Sequence, residues 1–130
     1  MEENYSKFTA KQSRVIFPCH INDNGTLFGG KALSWMDEVA YITASNFTGK
    51  RMVTTCIEMV KFLVPIKLGT KVNVKSRIKD VGNVKLSVLV EITIQNPKIE
   101  IPTKAIEGIF VFSALRSESD KPTRLLTELG

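Results

Sequence analysis

Between Leu33 and Phe47 the apolar residues recur every three or four positions. Leu33, Met36, Ala40, Thr43, Ala44 and Phe47 therefore stack on one face of a helix predicted from about Lys31 to Phe47. The opposite side is also apolar, with Trp35, Val39 and Ile42, and leaves a narrow polar arc of Lys31, Ser34, Glu38 and Ser45. A helix that is apolar nearly all round is a buried helix. In a chain of 130 residues, burial on every side predicts a sheet wrapped round the helix and a partner subunit covering the rest. Gly49 closes the helix as a C-terminal glycine does.

The remaining pattern is that of strands. Ser13 to Pro18 reads as a short strand, and an Asn22-Asp23-Asn24-Gly25 turn follows it. Met52 to Val64 is β-branched and apolar on both parities, which predicts a central strand. Val72 to Val81 alternates, with Asn73, Lys75, Arg77 and Lys79 on its polar face. Gly82-Asn83 then marks a hairpin turn into a strand that aligns Val84, Leu86, Val88, Val90, Ile92 and Ile94. Lys104 to Leu115 is the last predicted strand. Residues 1–11 and 117–130 read as loosely held polar tails, the second with a Leu125-Leu126 cluster. The order is strand, long helix, four strands. Its simplest packing is an α+β domain over residues 1–130, with one antiparallel sheet curled round one helix.

Composition narrows the chemistry. Hydrophobic residues make up 43% of the chain, ordinary for a globular domain. The N-terminus has no charged segment followed by an apolar run, and no apolar stretch is long enough to span a bilayer. A cytoplasmic location and no membrane insertion are the expectation. Cys19 and Cys56 are too few for a disulfide framework and read as incidental. The single histidine, His20, rules out a His-rich metal site, and CxxC and HExxH are absent. The expectation is no metal, with acid–base work done by carboxylates. The net charge is +5. Seven basic residues lie between Lys61 and Lys85 against one acidic residue, Asp80. Such a patch suits solvent, a phosphate-bearing substrate or nucleic acid.

Asp37 is the informative carboxylate. At 100° per residue it lies near Leu33 on the buried side, whereas Glu38 points into the polar arc. A buried carboxylate must be paired, hydrogen-bonded or protonated. It is either a structural Asp holding a neighbour or a base in a cleft. Gly29-Gly30 at the helix entrance is either a tight turn or a place where bare backbone N–H groups meet a developing oxyanion. No G-x-S-x-G nucleophile elbow is present.

The run His20-Ile21-Asn22-Asp23-Asn24-Gly25-Thr26-Leu27-Phe28-Gly29-Gly30, followed by Trp35-Met36-Asp37-Glu38, resembles the acyl-CoA thioesterases of the hotdog fold, the YciA-type and brain-type hydrolases in particular. Val53-Thr54-Thr55 and Glu58-x-Val60-x-Phe62-x-x-Pro65 are similar to the strand those enzymes place after the helix. The likeness spans about residues 13–116. It implies a long helix wrapped by a curved antiparallel sheet, dimers with a continuous sheet, and often a trimer of dimers. It also implies hydrolysis of acyl-CoA to free acid and CoA without an organic cofactor, CoA being part of substrate and product. By position, Asp37 would activate water and Asn22 of the partner subunit would position the water or the carbonyl. Gly29, Gly30, Thr26, Phe28 and Thr55 would line the acyl and oxyanion region. Gly82, Asn83, Lys85 and Lys79 would meet CoA. Two departures stand out: Asn83-Val84-Lys85 replaces the Arg-Thr-Ser often found there, and Glu58 stands where Asp is frequent. His20 reads as a loop-ordering residue.

Three other readings follow from the same residues. A non-catalytic acyl-CoA sensor would keep the fold, but the intact Asn22 and Asp37 argue against it. A hotdog dehydratase needs a catalytic His, and His20 lies in the wrong place. Nucleic-acid binding needs aromatic side chains among the basic ones, and the basic strand has none.

Overall fold

The computed structural model describes residues 7–98, 100–115 and 122–123. Its elements are β1 (Thr9–Val15), a 3₁₀ turn (Pro18–His20), α1 (Gly29–Thr48), β2 (Met52–Phe62), β3 (Lys71–Val81), β4 (Lys85–Ile94), β5 (Thr103–Leu115) and the short β6 (Pro122–Thr123). The strands form one antiparallel sheet in the order β1-β3-β4-β5-β2, and β6 pairs with the end of β5. The sheet packs on α1, which is the hotdog arrangement the sequence led us to expect.

The alternating strands behave as their patterns require. Val72, Val74 and Ile78 of β3 and Leu86, Val88, Val90 and Ile92 of β4 point inward and are buried. With Phe110 and Phe112 of β5 they enclose Trp35, Met36, Val39 and Ala40 of α1. Gly49 ends α1 in the left-handed region, at φ 68°, and its N–H donates to the Ser45 carbonyl at 2.7 Å. One polar link crosses this core. The Ser76 hydroxyl on β3 donates to the Val39 carbonyl at 3.1 Å and lies 2.6 Å from the Thr43 hydroxyl. Ser76→Ala strands the buried Thr43 hydroxyl, so we expect a loss of about 1–3 kcal/mol in denaturant unfolding. A loss below experimental error would mean that the helix and sheet close over the gap.

Three expectations need correction. Thr9 to Lys11 do not belong to a loose tail: they form the start of β1, opposite Arg77 to Lys75. Pro122 and Thr123 likewise pair with the sheet, and Leu125-Leu126 lies outside the described residues. The largest correction concerns β2, which among the described residues is an edge strand bonded only to β5. Apolar residues on both parities predict burial of both faces, but at the sheet edge this chain covers only part of β2. Val53, Ile57, Met59 and Phe62 are left exposed, Met59 at 63%. A long apolar edge of this kind is a template for pairing with another chain. Two register shifts, between Thr54 and Cys56 and between Glu58 and Lys61, bend β2, and Met59 in the second has φ 55°. No described helix is long and apolar enough to cross a membrane.

Candidate active site

Asp37 and Glu38 separate as helical geometry predicts. Glu38 is exposed and pairs with Arg14 at 3.3 Å. Asp37 faces the sheet, half-buried rather than fully buried. Its Oδ1 accepts a hydrogen bond from Thr54 Oγ1 of β2 at 2.6 Å. That short charge-assisted bond fixes the carboxylate rotamer. Thr54 is the residue sequence reasoning missed, having named its neighbour Thr55. Successive strand residues face opposite sides, so one of the two threonines had to meet the helix. Only the register, with Thr54 opposite the buried Phe112, says which. Thr55 sits in the bulge and is exposed, and its hydroxyl donates to the Val111 carbonyl at 3.2 Å.

The loop before α1 is built on Asn22. Its Oδ1 accepts from the Asn24 N–H at 2.9 Å, the Thr26 N–H at 3.1 Å and the Thr26 hydroxyl at 3.2 Å. The carboxamide oxygen is thus committed to the loop, and the NH₂ end is the group available to a ligand. His20 orders the same loop. Its Nδ1 accepts from the Phe17 N–H at 3.0 Å, its carbonyl accepts from the Phe28 N–H at 2.9 Å, and its ring meets Trp35 edge-on.

Helix α1 begins at Gly29, with Phe28 in the capping position and no side-chain cap. Neither Gly29 nor Gly30 has positive φ. A Cβ on Gly29 would be in ordinary contact with the Phe62 ring at 3.5 Å, and one on Gly30 would crowd the Phe28 ring at 3.1 Å. Backbone conformation does not require these glycines. Having no side chains, they leave the first N–H groups of the helix open to close approach. Asn22, Thr26, Gly29 and Phe62 share one cavity of about 340 Å³. Phe28 and Gly30 line a neighbouring one of about 360 Å³ with Cys19, His20 and Lys31.

Asn22 and Asp37 are not brought together within the chain. Asp37 lies eight residues beyond Gly29, about 12 Å along the helix axis, and does not line the Asn22 cavity. The hairpin residues fall at the Asp37 end of the sheet. Leu86 pairs with Phe112, which pairs with Thr54, and Lys85 pairs with Ser113 beside Val53. The Gly82 N–H donates to the Lys85 carbonyl at 2.8 Å, closing the turn. Asn83 and Lys85 are exposed, while Lys79 is paired with Asp80 at 3.3 Å. Among the described residues no group of three or more His, Cys, Asp or Glu is placed to hold a metal ion.

Comparison with known proteins adds to this geometry. The Thioesterase superfamily sequence model matches residues 24–101. The acyl-CoA thioester hydrolase YciA of Escherichia coli is 32% identical over 117 residues, covering 88% of each chain. An uncharacterized acyl-CoA thioester hydrolase of Bacillus subtilis, YkhA, is 34% identical over 97 residues. That match covers 71% of this chain but only 56% of YkhA, so the chain spans little more than half the length of that relative. Among solved structures, the acyl-CoA hydrolase of Staphylococcus aureus, determined with butyryl-CoA, CoA and CoA disulfide, superposes with a TM-score of 0.86 at 30% identity. It covers 92% of this chain and 72% of its own. Structures of that enzyme with an asparagine, an aspartate or a threonine replaced by alanine are also known. The hexameric thioesterase y2039 of Yersinia pestis superposes at 0.79 with 26% identity, over 89% of this chain and 93% of its own. With the family model matched over more than half its length and a 32% identical relative covered almost end to end, the chain belongs to the thioesterase superfamily.

Proposed function

We propose that the protein hydrolyses acyl-CoA thioesters to a free acid and CoA in a site shared by two subunits. The observation that carries this reading is the Thr54–Asp37 hydrogen bond at 2.6 Å. Thr54 holds Oδ1 and leaves Oδ2 to take a proton from water. The water oxygen adds to the thioester carbonyl, the tetrahedral oxyanion collapses, and the CoA thiolate leaves and takes up a proton. The Asn22 NH₂ and the open N–H groups at Gly29 and Gly30 are donors suited to that oxyanion. Direct attack by Asp37 is the less favoured variant.

Support comes also from spacing. The three positions replaced by alanine in the Staphylococcus aureus enzyme are an asparagine, an aspartate fifteen residues on and a threonine seventeen further on. Asn22, Asp37 and Thr54 have that same spacing here.

The second subunit follows from distance. Donors about 12 Å along the helix from Asp37 cannot serve the carbonyl whose water Asp37 activates, because such groups must lie within hydrogen-bond reach. The exposed β2 edge offers the remedy. If two β2 strands pair antiparallel about a two-fold axis, each strand's Phe62 end lies beside the partner's Thr54 end. Asn22 and Gly29 of one chain then approach Asp37 of the other. Dimers of this kind could assemble further into a trimer of dimers. CoA would lie along the Gly82-Asn83-Lys85 hairpin, near Lys79, at the Asp37 end.

Thiol release from a panel of short, medium and long acyl-CoAs tests this reading. Release at any chain length supports hydrolysis, whereas binding without release would make the protein a sensor. Thr54→Val keeps the shape but removes the donor to Asp37, and should lower kcat by about 10- to 100-fold, the scale of losing one hydrogen bond to a charged group. An unchanged kcat would show that the carboxylate does not depend on Thr54.

A further inference from the structure

The outer face of the sheet, turned away from α1, segregates its charges. In one cross-strand row Lys11 of β1 stands directly opposite Lys75 of β3, and Lys75 is opposite Glu91 of β4. Glu91 could neutralise Lys75, but its carboxylate is held by Lys104 of β5 at 2.8 Å, and Lys104 also bonds Glu107 at 3.0 Å. Hydrogen bonding to Glu91, and next to Glu107, raises the Lys104 pKa, so the Lys104 ammonium holds both carboxylates on that side of the sheet, and Glu107 also lies 3.9 Å from Lys61. Lys11 and Lys75 are left facing each other, with Arg77 one position further along the same face. None of the three has an ion-pair partner among the described residues. Like charges directly opposed across a ladder are unfavourable.

Two concavities lie over these cations. One of about 350 Å³ is lined by Lys11, Lys75, Arg77, Leu89 and Glu91. The other, of about 510 Å³, shares Lys11 and adds Lys71, Asn73 and Gln95. Its floor is preordered: Asn73 Oδ1 accepts from the Ser13 hydroxyl at 2.6 Å and from Gln95 Nε2 at 2.8 Å. The two form one groove along β1 and β3 with four lysine or arginine side chains. No aromatic side chain lines it, which disfavours single-stranded nucleic acid, whose bases need stacking platforms. The groove uses none of the residues assigned to hydrolysis.

We propose that this groove binds a small oligophosphate, a chain of linked phosphates whose charge bridges Lys11, Lys75 and Arg77. Charge-assisted hydrogen bonds from these side chains would replace their mutual repulsion with attraction. The site is independent of the reaction at Asp37. The phosphate chain could be inorganic or the tail of a nucleotide.

Isothermal titration of the intact protein with tripolyphosphate tests this, with sulfate at matched ionic strength as the screening control. Tripolyphosphate should bind and raise Tm where sulfate does not. The double variant Lys11→Gln, Lys75→Gln should weaken binding about tenfold or more, as loss of two charge-assisted contacts implies, whereas Lys98→Gln, outside both concavities, should not. The double variant should also have a higher Tm than wild type without ligand, because it removes the like-charge pair. ATP binding more tightly than tripolyphosphate would identify a nucleotide as the ligand, and equal binding would identify the phosphate chain alone. Either supports the site. Equal shifts with sulfate, or unchanged affinity in the double variant, would overturn it.

Discussion

Asp37→Ala is expected to lower acyl-CoA turnover by roughly 10²–10⁴-fold, the usual worth of a positioned general base. The fold and the oligomer should persist. Asp37 is half-buried, and the bond it loses is to Thr54; an unpaired hydroxyl at such a place costs about 1–3 kcal/mol. A companion variant separates geometry from chemistry. Asp37→Asn keeps an oxygen for Thr54 to bond but cannot take a proton from water. If Asp37 acts as a base, both variants are equally inactive by thiol release and both elute at the wild-type oligomer size. If Asp37 only braces β2 against α1, Asp37→Asn should retain most activity. Full activity in Asp37→Ala would end the assignment. A stoichiometric burst of thiol in wild-type protein would move Asp37 from base to nucleophile.

Complementation gives the other large effect. Asn22→Ala and Asp37→Ala chains should each be inactive when expressed alone. When they are co-expressed, every mixed dimer contains one site with Asp37 from one chain and Asn22 from the other, both intact. Its second site carries both defects. Random pairing about a two-fold axis makes about half the dimers mixed, so about a quarter of all sites, and of wild-type activity, should return. Were Asn22 and Asp37 to act within one chain, no mixed dimer could contain an intact site and activity would stay at the level of the single variants. The prediction rests on the helix: about two turns separate Gly29 from Asp37, and packing cannot shorten that distance without breaking α1. It also rests on the exposed β2 edge, where Val53, Ile57, Met59 and Phe62 need cover.

The committed Asn22 oxygen refines what that residue can do. Three donors already occupy it, so Asn22 is suited to donating a hydrogen bond to a carbonyl rather than to accepting one from the attacking water. This favours a polarising role over a water-positioning one. The oxygen bonds also tie Asn22 to Thr26, which thereby helps shape the loop.

The sequence by itself determined the local structure. Three- and four-residue spacing set α1, Gly49 ended it, strict alternation set β3 and β4, and the angle between adjacent helical residues separated Asp37 from Glu38. These features depend on a few neighbouring residues, and backbone periodicity imposes them whatever the rest of the chain does. The run from Asn22 to Asp37, being nearly contiguous, was legible through its resemblance to a family motif. What only the tertiary structure decided involves contacts between distant segments. A strand apolar on both parities can be central, or it can lie at an edge, and sequence pattern is identical in the two cases; pairing with β5 alone among the described residues makes β2 an edge. Register chose Thr54 over Thr55, because a slip of one residue exchanges the faces of a strand. The opposition of Lys11 and Lys75 joins residues 64 positions apart, and the withdrawal of Glu91 toward Lys104 adds a third strand to the arrangement. Strand order and register are set by how side chains from the whole chain fill one core, and no local window contains that information.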